Sequence, residues 1–395
     1  MRRGRRGAEA KRTRMAACEV VIVGGGVIGL ASAWTLARAG ARVTILDQRE
    51  IGREASWSGA GMIPAYRRIA TTSPLAHLRS WSACLHAEWS ERLREETGID
   101  NGYRRNGGVD LAADAREAED LRAAAEIWRA EGVAFEHLDA ADFCHIEPLL
   151  APNLFSGWFL PDRAQIRNPW HLDALLVAVE RAGVRVEPHR GARGFEIRDG
   201  RVLAVRTEHG PIACGAVVVA SGAWSGDLLG RAGVAIAVAP VKGQIALLRS
   251  TRPRLSRIVE HGRHYLVPRD DGRILVGATE EHTGFDAKTT ALGVRGLLDA
   301  ALRVCPALAA ADFVRAWAGL RPGSADDRPY IGRAPGFENL FVAAGHGRAG
   351  LQLSTGTAEI VADLVLDRTP PISLAPFAID RPQTVAHDPH PAFRS

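Results

Sequence analysis

Residues 18–34 read CEVVIVGGGVIGLASAW, with three consecutive glycines after a short apolar run and a fourth glycine at position 29. Few patterns restrict a backbone more. The segment EVVIV at 19–23 lacks polar alternation, as a strand covered on both faces of a parallel sheet does. Gly24, Gly26 and Gly29 fit G-x-G-x-x-G, and the Ala- and Leu-rich residues 30–39 predict a helix ended by Gly40. A second strand over 41–46 ends in Asp47. Each glycine has a physical task. Gly24 allows a tight turn, Gly26 lets a pyrophosphate approach the helix N-terminus, and Gly29 lets the helix pack closely on the sheet. Asp47 stands where an acid accepts hydrogen bonds from a ribose. Strand, helix, second strand and acid in register define a dinucleotide site and leave FAD and NAD both open.

The 395-residue chain as a whole is 46% apolar and 24% charged, enough for a large core and more than one domain. No run of 18 uncharged apolar residues occurs, which argues against a membrane-spanning helix. The first fourteen residues hold seven basic side chains and one acid, so of the net +5 only −1 belongs to the other 381 residues. A basic tail over 1–15 can bind nucleic acid or membrane. The plainer expectation is a disordered extension preceding a natural start at Met15, with neither partner. The apolar stretch after the charges reads as the first strand, which argues against a secretory signal. Cys18, Cys84, Cys144, Cys214 and Cys305 are scattered without a CxxC, which argues for a reducing compartment, the cytoplasm, and against any metal site.

Along the chain, residues 75–97 predict a helix whose Leu78, Trp81, Leu85, Trp89 and Leu93 make a core stripe, and 113–131 predict another. Asn168-Pro169 reads as an N-cap with proline at the first helical position, opening a helix through Glu180. A strand at 184–187, a hairpin turning at Asp199-Gly200, and a buried strand at 216–219 running into a small-residue loop follow. Residues 236–280 look like an antiparallel set, then come a helix at 291–304 and a strand at 312–319. A third strand-to-glycine junction at 339–345 precedes a helix whose Leu353, Thr357, Ile360, Val361, Leu364 and Val365 share a face. The stretch EASWSGAGM at 54–62 reads, taken alone, as a flexible surface loop, with passage beside a flat ligand as the alternative. The fold class is thus α/β (α+β mixed). A parallel Rossmann-like domain built from separated parts is interleaved with a smaller antiparallel-sheet domain, and a ligand lies between the two.

GGGVIG with Asp47, EASWSGAGM, VVVASGAWS, AGLRPGSADDRPYIGR and FVAAGHGRAGLQLSTGTAE together resemble the D-amino-acid oxidase superfamily. AQIRNPWHLDALL, HYLVPRDDGRILVGATEE and AGLRPGS are similar to its glycine oxidase subfamily, of thiamine biosynthesis. The resemblance runs from about Glu19 to Arg381. It implies a glutathione-reductase type FAD-binding domain over 16–90, 160–232 and 322–385, and a substrate domain over 91–159 and 233–321. It implies FAD, held non-covalently because no cysteine follows Cys305. The cofactor residues it implies are Gly24, Gly26, Val27, Ile28, Gly29, Asp47 and Gln48, with Ala192 at the adenine. Toward the flavin they are Ala55, Ser56, Ala60, Gly61, Met62, Gly222, His346, Gly347, Arg348, Ala349, Gly350, Leu351 and Gln352.

The same resemblance assigns Arg321, placed after a strand end, and Arg348 to the carboxylate of a small amino acid, with Tyr265 beside them. A guanidinium offers a carboxylate two parallel donors, which a lysine does not. The implied chemistry is hydride transfer from the substrate Cα to flavin N5, with dioxygen as final acceptor. Glycine then gives glyoxylate, ammonia and hydrogen peroxide. His346 either adds positive potential near the flavin or is a loop residue bonded to backbone. Glu280 either selects the amino group or points to solvent. A homotetramer is implied as well. The alternatives are a D-amino-acid dehydrogenase that passes electrons to a quinone, and a flavin-binding module without turnover.

Overall fold

Alternate side chains of the first strand, Glu19–Val23, point to opposite faces, and both faces are covered. Val20 and Ile22 lie in one core with Leu30 and Trp34 of the helix Val27–Arg38, while Val21 and Val23 lie in another with Phe195, Val205 and Leu340. This double burial explains the missing alternation in the sequence. The computed structural model describes residues 19–250, 252 and 254–382, so the basic extension and the tail from about 386 lie outside the described residues.

The first sheet has six strands, in the order Tyr330–Arg333, Leu340–Ala344, Ala216–Val219, Glu19–Val23, Arg42–Leu46, Arg185–Glu187. All neighbours are parallel except the outermost pair, Tyr330–Arg333 on Leu340–Ala344. The separated sequence segments therefore assemble as expected. The hairpin at Asp199-Gly200 also forms, with φ of 48° and 71°, the two positive values a type I′ turn needs. The helix Pro74–Thr97 begins at Ser73, whose Oγ accepts from Ala76 N at 3.1 Å, and ends at left-handed Gly98. Its Trp89 packs edge-on against Trp34 with centroids 4.7 Å apart. Leu78 and Leu93 are buried with it, and Trp81 and Leu85 are half-buried.

The second sheet has eight strands, from Asp312–Ser324 at one edge through Val238–Arg249, Arg273–Gly277, His264–Pro268 and Ile258–His261 to Gly108–Ala112, Ser156–Leu160 and Glu136–Asp139. It is not purely antiparallel as the sequence suggests, because Ile258–His261 lies parallel to Gly108–Ala112, where two distant parts of the chain meet. Two further local expectations are corrected. The strand begun at Asp312 does not stop at 319 but runs on to Ser324, since its partner Val238–Arg249 extends alongside it and pairs Val241 with Arg321. Asn168 does not cap its helix. It is the first helical residue after Arg167, and its side chain instead donates from Nδ2 to Ser56 O at 2.7 Å.

Candidate active site

The parallel strands end, at their carboxyl ends, on Gly24, Asp47, Ala220 and the turn at His346, and all four line one long cavity. This is where open α/β sheets bind ligands. Two helices start at its wall with no hydrogen bond from the side chain of their own N-cap residue, Val27–Arg38 and Gly350–Val365. Their first-turn N–H groups and positive dipole ends suit anionic groups. The empty space, part of it open to solvent, comes to about 1900 Å³.

Of the expected cofactor residues, Gly24, Gly26, Val27, Ile28, Asp47, Gln48 and Ala192 line the cavity toward the first helix, and Gly222 lines it beside the strands Val238–Arg249 and Asp312–Ser324. Ala55, Ser56, Ala60, Gly61, Met62, His346, Gly347, Arg348, Gly350, Leu351 and Gln352 line it elsewhere. Two do not. A Cβ on Gly29 would stand 1.8 Å from Gly24 O, so this glycine serves the close packing of helix on strand and stays out of the cavity wall. Ala349 turns away into a core with Leu75, Leu78 and Leu353. The stretch at 54–62 is no flexible loop. Ala55–Ser58 form a short helix whose Ser56 Oγ accepts from Val27 N at 2.9 Å, which ties it to the start of the first helix. The Asp47 carboxylate accepts from Gly25 N at 2.7 Å and Arg49 N at 2.9 Å. Burial raises its pKa, and these two bonds oppose the rise. Two oxygens offer about four acceptor sites, so capacity remains for ribose hydroxyls. An acid at a strand end, a glycine cradle and a second helix start on the wall of the same cavity fit FAD.

At the far end, Arg321 lies within its strand, and its guanidinium crosses Gly243 on the neighbouring strand. A Cβ at Gly243 would meet Arg321 Nη2 at 2.5 Å. Arg321 Nη1 donates to Thr279 O at 3.1 Å. Burial lowers the Arg321 pKa, Tyr265 and Glu280 oppose that shift, and Arg348 adds to it. Tyr265 sits opposite Gly277 in register, and burial pushes its hydroxyl up to about 12, so it remains a neutral donor. Arg348 Nη2 donates to Glu280 Oε2 at 2.8 Å. Glu280 therefore engages a guanidinium of the site. His346 brings no positive potential. It is buried, its pKa is lowered to about 3, and its Nε2 lies 3.2 Å from Thr357 Oγ1, a side-chain partner instead of backbone.

Several lining residues escape sequence reasoning. Arg163 is buried between Asp110 and Glu260, with Nη2 to Asp110 Oδ2 at 3.0 Å and Nη1 to Glu260 Oε1 at 2.8 Å. Burial works against its charge, and the two acids hold it on. Nothing local distinguishes Asp110 and Glu260 from solvated charges on strands, or Arg163 from a solvated charge at a turn. Gly243 and Gly319 did carry a signal. They are mid-strand glycines, paired in register, and such glycines mark a close approach. A Cβ on Gly319 would stand 1.8 Å from Ser58 Oγ.

A family model described as FAD dependent oxidoreductase (DAO) matches residues 19–364. A glycine oxidase of Pseudomonas putida is 39% identical over 366 residues, covering 91% of this chain and 98% of that one. The crystal structure of glycine oxidase from Geobacillus kaustophilus is similar with a TM-score of 0.88 and 36% identity, over 93% of this chain and 100% of that one. The crystal structure of iminodiacetate oxidase from Chelativorans sp. is similar with a TM-score of 0.82 and 28% identity, over 91% and 98%.

Proposed function

The chain belongs to the family of FAD-dependent oxidoreductases, and on that premise we propose that it oxidises glycine or another small amine, such as sarcosine or a small D-amino acid. One observation carries this reading. The half-buried side chain of Arg321 lies near the neutral phenol of Tyr265, in the same cavity as the starts of two helices. Arg321 and Tyr265 bind the substrate carboxylate, and in a dry pocket a charged, two-pronged donor holds that group more tightly than water does. Arg348 contributes a second guanidinium at the rim. The first turn of the helix Gly350–Val365 presents N–H groups to negative charge that builds at the flavin end of the cavity. Tyr265 and His346 each keep one protonation state across neutral pH, so neither is the group that takes a proton. Bound FAD supplies the acceptor for the hydride leaving the substrate Cα and delivers the electrons to dioxygen. Glycine yields glyoxylate, ammonia and hydrogen peroxide.

The two sheets support a division into a cofactor domain over 16–90, 160–232 and 322–385 and a substrate domain over 91–159 and 233–321. The proposed setting is a cytoplasmic homotetramer that supplies thiamine biosynthesis, with the FAD non-covalently held. The test is an anaerobic titration of the purified protein with a panel of amines, read as loss of oxidised flavin absorbance, followed by admission of air. Bleaching by glycine and peroxide on aeration are expected. Bleaching without peroxide points to a dehydrogenase, and no bleaching by any amine overturns the reading.

A further inference from the structure

The segment 279–281 touches both guanidinium groups of the site. Thr279 O accepts from Arg321 Nη1 at 3.1 Å, and Glu280 Oε2 accepts from Arg348 Nη2 at 2.8 Å. The segment is anchored. Glu281 Oε2 pairs with the buried Lys242 Nζ at 2.8 Å, and Glu281 Oε1 accepts from Gln244 Nε2 and from Thr279 Oγ1, both at 2.6 Å. Glu280 is thereby carried on a fixed backbone, and its pair with Arg348 is only part-exposed, the two side chains being 34% and 28% accessible. Arg348 lines the cavity, and its charge disfavours that of Arg321, while Glu280 favours it. Glu280 itself stands behind Arg348 and is not part of the cavity wall, and Glu260, an acid that does line the cavity, is paired with Arg163.

We propose that Glu280 is a specificity-determining residue. By holding Arg348 it leaves the two-arginine site with the charge to balance one carboxylate, so the site selects amines with a single acid group and rejects those with two. This rests on the reading of the site as one for small amino acids. Arg321 anchors the first carboxylate. A second carboxylate on the substrate must either displace Glu280 from Arg348 or lie beside it, and like charges side by side repel. Removing the Glu280 charge turns Arg348 toward a second acid group.

The experiment compares the FAD-loaded wild type with Glu280→Gln. Two readouts are used, the Kd of acetate and of malonate from the perturbation of flavin absorbance, and kcat/KM for glycine and for iminodiacetate from peroxide formation. The variant is expected to shift both ratios, malonate over acetate and iminodiacetate over glycine, toward the dicarboxylate by about three- to fivefold, the upper end of the scale for such a charge pair. Ratios unchanged within about twofold overturn the proposal. So does a variant that loses glycine turnover while its malonate and acetate affinities stay as they were, since Glu280 would then grip the amino group. Wild type that fails to oxidise glycine overturns the functional reading, and the acetate and malonate affinities then decide the role of Glu280 alone.

Discussion

Gly243 offers the sharpest test of the carboxylate site, because adding one methyl group there perturbs little besides Arg321. The residue lies in the middle of a long strand, buried and paired with Gly319. A Cβ built on it meets Arg321 Nη2, Cζ and Nη1 at 2.5, 2.6 and 2.8 Å. Ordinary contact begins at 3.4 Å, so the guanidinium must move by roughly 1 Å, which a flexible side chain does without unfolding the sheet. A displacement of that size at a substrate-positioning group costs about 10²-fold when it spoils alignment for the chemistry. Gly243→Ala should therefore keep its flavin and its melting temperature within a few degrees, and lose about ten- to a hundredfold in kcat/KM for glycine. The assay is steady-state peroxide formation in Gly243→Ala, Arg321→Leu and the double variant. If the methyl acts through Arg321, it has no further effect once the guanidinium is gone, and the double variant matches Arg321→Leu. A Gly243→Ala enzyme within twofold of wild type, or a loss that repeats in full when the Arg321→Leu change is already present, would refute the reasoning.

Arg321→Leu by itself removes the charged partner of a buried carboxylate, a loss of about 2–5 kcal/mol, so kcat/KM should fall by about 30- to 5,000-fold with flavin content unchanged. Acid stability follows from three buried histidines. Burial lowers His86 to about 4, and His171 and His346 to about 3. Unfolded imidazole titrates near about 6.5, so each neutral, buried ring favours the fold fully above that pH. As pH falls toward the folded values the unfolded state gains protons first, and stability drops by about 1.4 kcal/mol per pH unit per histidine. The thermal midpoint should therefore fall steeply between about pH 6.5 and 4 and more gently in His171→Gln; a flat profile contradicts the burial argument. Arg381 grips Asp326 through two bonds of 2.8 Å, both side chains buried, so Arg381→Ala should destabilise by about 3–5 kcal/mol in urea. The Asp326→Ala, Arg381→Ala pair should recover part of that loss, since no buried charge is then left alone.

Local demands on the backbone made much of this protein legible in one dimension. Gly24, Gly26 and Gly29 meet constraints that arise within a single strand–turn–helix, and Asp47 stands at a strand end whose length is local too. The hairpin at Asp199-Gly200 and the left-handed stop at Gly98 are likewise properties of a few adjacent residues. The features misread all depend on a distant partner. Asn168 looks like a cap until the Ser56 carbonyl arrives to take its side chain. AGLRPGS reads as a strand end, but pairing with Val238–Arg249 carries the ladder through Pro322 to Ser324. Residues 54–62 look loose until Val27 N bonds Ser56.

The chain by itself determined a dinucleotide fold and the cavity at the strand ends, because turn geometry, strand burial and helix polarity are encoded over short distances, while FAD over NAD followed only from the resemblance of motifs spread along the whole chain. The tertiary structure decided the charges in that cavity. Whether His346 carries a proton, whether Glu280 meets solvent or Arg348, and that Arg163 is buried with Glu260 follow from desolvation and from partners brought together by folding, which no window of sequence contains.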